Sequence, residues 1–174
     1  MRLFVRLTLI GLVALTAAGF WLSQQPSGES ALPKATATEG LCEGEGTSLV
    51  VDFGTGYPRS TITRCVQNYQ GNSWDLFEAA GLKITGTEKY PVGFVCRIED
   101  FPDQKVEACI ETPGTTNGSW AFYLAEDQTW NYSNYGASSH KAKCGQTEGW
   151  RFLLPEEEFS EAPRVTPVKT SCEK

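Results

Sequence analysis

The order of secondary-structure signals in this chain predicts an α+β fold, with one short helix packed on one face of a mixed sheet. Two observations lead to this prediction. A single helical pattern, residues 71–82, occurs early in the chain, and six strand patterns follow it. A sheet and a helix that are each apolar on one side bury those sides against each other, which gives a two-layer domain.

The strand patterns are short runs rich in β-branched and aromatic residues, separated by Gly, Pro and Asn. Two of them precede the helix, "SLVVDF" at 48–53 and "STITRCV" at 60–66, with "GTGYPR" between them. The six that follow the helix are 82–88, 94–100, 106–111, 119–125, 129–133 and 148–154.

The helical segment, "GNSWDLFEAAGL", carries signals at both of its ends. Asn72 or Ser73 can cap the first turn, and Gly81 suits the position after the last turn. A helix of about eight residues is marginal in isolation, so we expect it to lie against the sheet. The residues of its apolar face are Leu76, Phe77 and Ala80.

The chain divides into four regions by composition. Residues 1–22 carry a basic start and an uncharged apolar run, which indicates a signal peptide or an uncleaved signal anchor. Residues 23–47 form a flexible linker rich in Ser, Pro, Ala, Thr and Gly, residues 48–154 the domain, and residues 155–174 an extended tail containing proline. We therefore expect a secreted or extracytoplasmic protein, and a membrane attachment only if the apolar run at 7–22 remains uncleaved.

Six cysteines behind an export signal predict three disulfides: Cys42, Cys65, Cys96, Cys109, Cys144 and Cys172. A zinc site would need close cysteine pairs, which are absent, so no metal is expected. Cys96 and Cys109 flank a predicted hairpin around Phe101-Pro102-Asp103, and we expect them to pair. Cys172 is expected to pin the tail to the domain, and the rest of the connectivity stays open.

The charge balance excludes nucleic acid as a partner. The chain has 15 Lys and Arg against 21 Asp and Glu. Loss of residues 1–22 removes two arginines, so the exported part has a net charge of −8. Phosphate binding depends on clustered Lys and Arg, and the same argument excludes an anionic membrane surface.

We predict that the protein is not an enzyme. His140 is the single histidine and lies in the polar segment "SSHK". A hydrolase would pair it with an activated nucleophile, but the chain has no GxSxG elbow, and disulfides take up the cysteines. The interpretation of His140 as an ordinary loop residue is therefore favoured over catalysis.

The segment 117–137 holds six aromatic residues: Trp120, Phe122, Tyr123, Trp130, Tyr132 and Tyr135. Because side chains alternate along a strand, Trp120 and Phe122 share one face and Tyr123 takes the other. Trp130 and Tyr132 share a face of the next strand, and Tyr135 lies beyond both strands.

The turn of this hairpin decides whether the aromatic residues lie on one face or two. A two-residue loop at Glu126-Asp127 places Tyr123 opposite Trp130 and makes both faces aromatic, with one of them exposed. A three-residue loop at 126–128 places Leu124 opposite Trp130 and gathers the large side chains of the hairpin on one face, which then belongs to the core. Both alternatives are open.

The motif order resembles the transcobalamin-like C-terminal domain family, in the form found in secreted actinobacterial proteins of largely unknown function. The quoted motifs are "VVDFG", "SWDLFEAAGLKITG", "GFVCRIEDFP", "SWAFYLAEDQTWNYSNYGA" and "GQTEGWRF", in that order between residues 48 and 154. The resemblance implies a β-grasp-like sheet without catalytic activity. In vitamin carriers, this domain covers one side of a corrinoid and a helical barrel domain holds the other.

Carried onto this chain, the resemblance implies a cobalamin-like or tetrapyrrole ligand, bound with a helical-barrel or uptake-system partner protein, since the chain has no barrel of its own. The candidate contacts are Trp130, Tyr132, Tyr135 and His140, and the hairpin argument adds Tyr123. The alternative is a structural or adhesive cell-surface module that binds protein or carbohydrate, which the linker before the domain favours.

Overall fold

The computed structural model describes residues 33–112 and 117–172. The predicted signal segment 1–22 and the first part of the predicted linker therefore lie outside the described residues. Within them, no helix is long and apolar enough to cross a membrane.

A six-stranded mixed sheet forms the body of the domain. Its strands are β1 (Thr36–Glu39), β2 (Thr47–Asp52), β3 (Ile62–Gln67), β6 (Ser119–Glu126), β7 (Thr129–Tyr132) and β8 (Thr147–Leu153). They lie in the order β1-β3-β2-β8-β6-β7, with β2 and β8 parallel and every other pair antiparallel. Two short strands, β4 (Ile84–Thr85) and β5 (Arg97–Ile98), pair separately.

The two central strands are buried along their whole length, which places the core on both sides of them. On one face Trp150 and Phe152 of β8 join the main core. On the other face Leu153 joins a smaller cluster with Ala121 and Tyr123. The mixed sheet with one short helix, stabilised by disulfides, is the architecture that the pattern of elements predicts at this level.

The only helix among the described residues, α1 (Leu76–Ala79), is shorter than the pattern over 71–82 predicts. The preceding residues form a turn, in which the Asn72 side-chain oxygen accepts from the Asp75 N–H at 2.8 Å. Gly81 follows with φ +70°, a conformation that suits glycine. Phe77 packs its ring 5.8 Å from Trp150, so the helix lies against the sheet as expected.

Three of the predicted strands are reduced or missing. The segments 82–88 and 94–100 retain two strand residues each, and 106–111 contains no strand. Glu99, Asp100 and Cys109 have positive φ angles of 51°, 58° and 62°. Such angles turn the chain out of the extended conformation, so these β-branched runs do not continue as strands.

The disulfides are Cys42–Cys65, Cys96–Cys109 and Cys144–Cys172. The predicted pairing of Cys96 with Cys109 and the anchoring of the tail through Cys172 are confirmed. The predicted hairpin between Cys96 and Cys109 is wrong, because β5 pairs with β4 and Ile98 forms an isolated bridge with Phe101. Three disulfides indicate an oxidising, extracytoplasmic environment.

Ordered structure begins before Ser48, where the sequence pattern places the start of the domain. Strand β1 adds an edge strand beside β3 and lies inside the predicted linker 23–47. Cys42 is buried and bonded to Cys65 of β3. The Ser, Thr and Gly content of this stretch favours a linker, but backbone pairing and the disulfide hold it to the sheet.

Candidate functional site

The turn between β6 and β7 consists of two residues, Asp127 and Gln128. It lies one residue later in the chain than the predicted two-residue loop and is one residue shorter than the predicted three-residue loop. Tyr123 pairs with Tyr132 and Ala125 with Trp130. Asp127 has φ +56°, as tight hairpin turns require. Trp130 and Tyr132 therefore share the face of Tyr123, and the hairpin is aromatic on both faces, as the two-residue alternative predicts.

The inner face of the hairpin belongs to the core. Phe122 stacks on Trp150 with ring centroids 4.7 Å apart, and Trp120 packs edge-on against Phe152 at 5.4 Å. The Trp120 indole N–H donates to the Phe101 carbonyl oxygen at 3.3 Å. These side chains stabilise the domain and face no solvent.

The outer face of the hairpin is covered by the tail of the same chain. The Tyr123 hydroxyl lies 2.8 Å from the Glu161 carbonyl oxygen, and the Trp130 indole N–H donates to the Val165 carbonyl oxygen at 2.8 Å. Burial raises the pKa of the Tyr123 phenol, which keeps it a donor. Two of the predicted ligand contacts are thus hydrogen-bonded to the tail.

Tyr132 lies at the margin of the tail. Its ring centroid is 4.5 Å from that of Phe159 in the tail and 5.9 Å from that of Tyr123. Both Tyr132 and Phe159 remain about half exposed. The expectation that this whole face is an open aromatic surface is wrong, because the tail supplies the packing that a ligand would otherwise provide.

An ion pair between the buried Asp52 carboxylate and the half-exposed Arg164 guanidinium holds the tail in place. The Arg164 guanidinium contacts the Asp52 carboxylate through Nε and Nη2, the shortest distance being 2.6 Å. The Arg164 and Gly54 N–H groups donate to the same carboxylate. Burial alone would raise the pKa of Asp52, but the Arg164 side chain and these N–H groups outweigh it and lower the pKa below its usual value.

Tyr135 and His140 lie together in the β7–β8 loop (residues 133–146). Tyr135 is 63% exposed, and its ring centroid is 6.1 Å from the His140 imidazole. The His140 side chain is only 11% exposed, and its Nε2 lies 3.4 Å from the Gln146 side-chain oxygen. The structure therefore brings Tyr135 and His140 together, but on a different part of the domain from the tail-covered face.

Glu148 completes this group and was not predicted as a site residue. It is fully buried on β8, with one carboxylate oxygen 3.6 Å from His140 Nε2. Neither carboxylate oxygen has a hydrogen-bond partner among the described residues. Burial raises its pKa to about 8. The alternation of β8 was a usable signal, because it places Glu148 on the face of Trp150 and Phe152.

The pKa of His140 is lowered, mainly because burial disfavours the imidazolium form. The contact with Gln146 opposes this shift, and the Lys143 charge adds to it. His140 is consequently a buried group beside a carboxyl, and the prediction of an ordinary exposed loop histidine does not describe its surroundings. Its enclosure leaves little access for a substrate.

The largest exposed apolar side chains near Tyr135 come from the β4–β5 loop (residues 86–96). They define, with Tyr135, what we call the loop surface: Tyr90 (44% exposed), Val92 (63%), Phe94 (44%) and Tyr135 (63%). The two loops touch, since a Cβ atom added at Gly136 would lie 3.8 Å from the Gly93 carbonyl oxygen. Exposed apolar groups clustered in this way usually mark an interaction site.

The grooves found among the described residues are open to solvent. One of about 500 Å³ lies beside Thr47, Tyr69, Lys141 and Cys172, and polar and apolar groups line it in similar amounts. None of the five predicted contact residues lines this groove. Within the described ranges, no cluster of three His, Cys, Asp or Glu side chains could hold a metal ion.

Comparison of this chain with protein-family models, with curated proteins and with solved structures finds no match.

Proposed function

We propose that this protein is a non-enzymatic, extracytoplasmic binding module that contacts its ligand or partner through the loop surface. The observation that carries the proposal is the exposure of Tyr90, Val92, Phe94 and Tyr135 on two adjoining loops. Aromatic side chains supply large contact areas at low entropic cost, so they are suited to recognition. The enclosed position of His140 supports a role other than catalysis.

The sheet topology supports a β-grasp-like domain as the scaffold of this module. The first and last long strands of the domain, β2 and β8, lie side by side in parallel at the centre. An antiparallel partner flanks each of them, β3 on one side and β6 on the other. This arrangement agrees with the resemblance to the transcobalamin-like family.

The ligand that we propose is a cobalamin-like or other tetrapyrrole compound, held between the loop surface and a helical partner protein. A flat macrocycle presents an apolar face that aromatic and branched side chains can cover. The loop surface contributes contacts from one side only, so a partner must supply the other side. Of the contacts that the resemblance implies, Tyr135 remains the best placed.

Binding can be tested by titrating the exported protein with cobalamin and following the fluorescence of the four tryptophans that follow residue 22, with and without a candidate helical partner. The double variant Phe94→Ala/Tyr135→Ala should weaken binding at least tenfold. Phe159→Ala removes an aromatic ring whose exposure lies between those of Phe94 and Tyr135, and serves as the control because Phe159 belongs to the tail. Equal binding by the double variant and the control would contradict the proposed surface.

A cell-surface module that binds protein or carbohydrate is the second candidate function. The tail cover over Tyr123 and Trp130 favours it, because this cover removes the hairpin face from ligand binding. A protein partner needs only exposed contact area, which the loop surface offers. Saturable binding of the exported protein to envelope material, lost in the double variant while cobalamin has no effect, would select this candidate.

A further inference from the structure

We propose that Glu148 and His140 form a one-proton latch that holds the β7–β8 loop closed under Tyr135. The proposal rests on the proposed function only in that the loop carries part of the loop surface. The latch itself follows from the surroundings of two buried groups and from the way the loop is attached.

Glu148 lies where a bare carboxylate cannot be solvated. Its strand neighbours are Leu49 on β2 and Leu124 on β6, and its own side chain has no exposed surface. Neither oxygen has a partner with normal hydrogen-bond geometry among the described residues, and the weak contact with the Ser73 hydroxyl offsets the effect of burial only in part. A buried charge without a partner is strongly unfavourable, so the carboxyl must keep a proton or face a cation.

His140 is the group that can share this proton. Its Nε2 lies 3.6 Å from Glu148 Oε1, and the Phe122 ring packs edge-on against the imidazole with the ring centroids 5.9 Å apart. Whether the proton lies on the carboxyl or on the imidazole, the pair carries no net charge when it holds one proton. Loss of that proton leaves a buried anion, and gain of a second leaves a buried cation.

The other groups around the pair come from three segments. Ser73 precedes α1, and its hydroxyl lies 3.5 Å from the His140 carbonyl oxygen. Burial raises the pKa of Glu148, and a weak hydrogen bond from the Ser73 hydroxyl lowers it by a smaller amount. Tyr69 follows β3, and the pKa of its phenol is raised by burial first and then by the Asp75 and Glu148 carboxylates. Lys143 and Gln146 belong to the β7–β8 loop and act on His140.

The β7–β8 loop is the element that can move away from the sheet when the Glu148–His140 pair gains or loses a proton. Glu148 lies on a central strand between β2 and β6, whereas His140 lies in the loop. The loop is held against the segment before α1 by the Ser73 N–H to the His140 carbonyl oxygen (3.0 Å) and the Trp74 N–H to the Ala137 carbonyl oxygen (3.2 Å). Opening would break these bonds and carry Tyr135 with it.

The proton count defines the pH range of the latch. With the loop open, the solvated groups hold one proton between pH 4.5 and 6.5 and none above 6.5, taking their ordinary pKa values of 4.5 and 6.5. The closed pair holds one proton up to about pH 8. Opening therefore releases a proton above pH 6.5 and should increase about tenfold per pH unit from 6.5 to 8.

The test is amide hydrogen exchange on the ¹⁵N-labelled full chain, corrected for the intrinsic rate at each pH. For the Ser73 and Trp74 amides, the opening constant should rise about 30-fold between pH 6.5 and 8 in the wild type. In Glu148→Gln the rise should be absent, and in the exposed control Glu156→Gln it should persist. A change below threefold in the wild type, or an equal rise in Glu148→Gln, would overturn the latch.

A carboxyl ¹³C titration of the wild type covers the case in which Glu148→Gln fails to fold. A Glu148 signal that changes near pH 8, or that moves together with His140, supports the shared proton. A signal that titrates at the ordinary value for glutamate overturns it. Neither measurement uses a ligand, so failure of the proposed binding function would be seen separately.

Discussion

At the scale of single residues, the buried acids determine how this domain responds to substitution and to pH. Asp52 and Glu148 are both fully buried, but their partners differ. Asp52 receives four kinds of contact from Arg164 and Gly54, so it is held charged. Glu148 has one imidazole beside it and no hydrogen bond within the described residues, so it retains a proton.

Substitution of Asp52 by Ala should lower the free energy of unfolding by about 2 kcal/mol. The change leaves the Gly54 and Arg164 N–H groups without their acceptor, although the half-exposed Arg164 side chain can return to water. Urea denaturation measures the effect. Asp127→Asn, in an exposed pair with Lys169, is the control and should leave the unfolding midpoint unchanged. Equal midpoints for both variants would contradict this role.

Because its pKa is lowered in the folded state, Asp52 contributes stability that is fully present above its ordinary value of 3.8 and is lost as the pH falls below it. For Glu148 the dependence of folding stability on pH has the opposite sign, because its pKa is raised in the folded state. The folded state holds one more proton than the unfolded state above pH 6.5, so stability falls as the pH rises.

Between pH 6.5 and 8 the free energy of unfolding should decrease by about 2 kcal/mol in the wild type. In Glu148→Gln the same interval should be flat, because the amide does not titrate. Denaturation curves at several pH values measure this slope. A wild type whose stability is constant over the interval would show that Glu148 titrates normally.

At the scale of elements, the tail functions as a third layer over part of the sheet. It covers the outer face of β6, β7 and β8, where Trp130 and Pro163 pack above Gly149. Glycine is required at this position because a Cβ atom would lie 2.7 Å from the Trp130 ring and 2.9 Å from Pro163. A strand that is covered on both sides explains why β8 is buried throughout.

Gly149→Ala should destabilise the protein by about 1–3 kcal/mol, because the added methyl group pushes Trp130 and the tail away from the sheet. Thermal unfolding measures the effect. Gly44→Ala is the matched control, since an added Cβ atom there meets nothing within 4 Å. If the two variants unfold at the same temperature, the tail does not pack on β8 as closely as described.

Tyr123→Phe should lower the free energy of unfolding by about 1 kcal/mol, because the buried hydroxyl loses its bond to the tail and leaves the Glu161 carbonyl oxygen unpaired. Tyr135→Phe, at an exposed hydroxyl, should have no effect on stability. Urea denaturation compares the two. A similar loss in both variants would mean that the phenol–tail bond contributes nothing specific.

At the scale of the whole molecule, three disulfides constrain the described part of the chain. Cys42–Cys65 holds the segment after β1, and Cys144–Cys172 holds the end of the tail beside the start of β8. The middle bond, Cys96–Cys109, closes the irregular region between β5 and β6. A chain of this length buries only a modest hydrophobic core. The three disulfides add stability because they restrict the conformations of the unfolded state.

Replacement of Cys144 and Cys172 together by Ala should cost about 3 kcal/mol of stability, since a loop of 28 residues is opened. Limited proteolysis should then cut the last residues of the tail first. The stretch up to Arg164 should remain protected, because Asp52 still binds it. Cleavage that begins before Arg164 would show that the disulfide alone retains the tail.

The long strands could be predicted from the sequence, and the irregular regions could not. Alternation and β-branched content placed β2, β3, β6, β7 and β8 within a residue or two of their observed bounds. The same content in 106–111 led to a strand that does not exist, because the backbone turns at Cys109. Strand β1 was missed, since its four residues are all exposed and carry no alternation.

The sequence by itself determined the class of fold, the presence of three disulfides and the aromatic character of the β6–β7 hairpin. These follow from local periodicity and from residue type. Only the tertiary structure decided what covers each aromatic face, because the tail that contacts Tyr123 and Trp130 comes from 35 to 38 residues further along the chain. The same holds for the meeting of His140 with Glu148, which depends on how a loop folds back over its own strand.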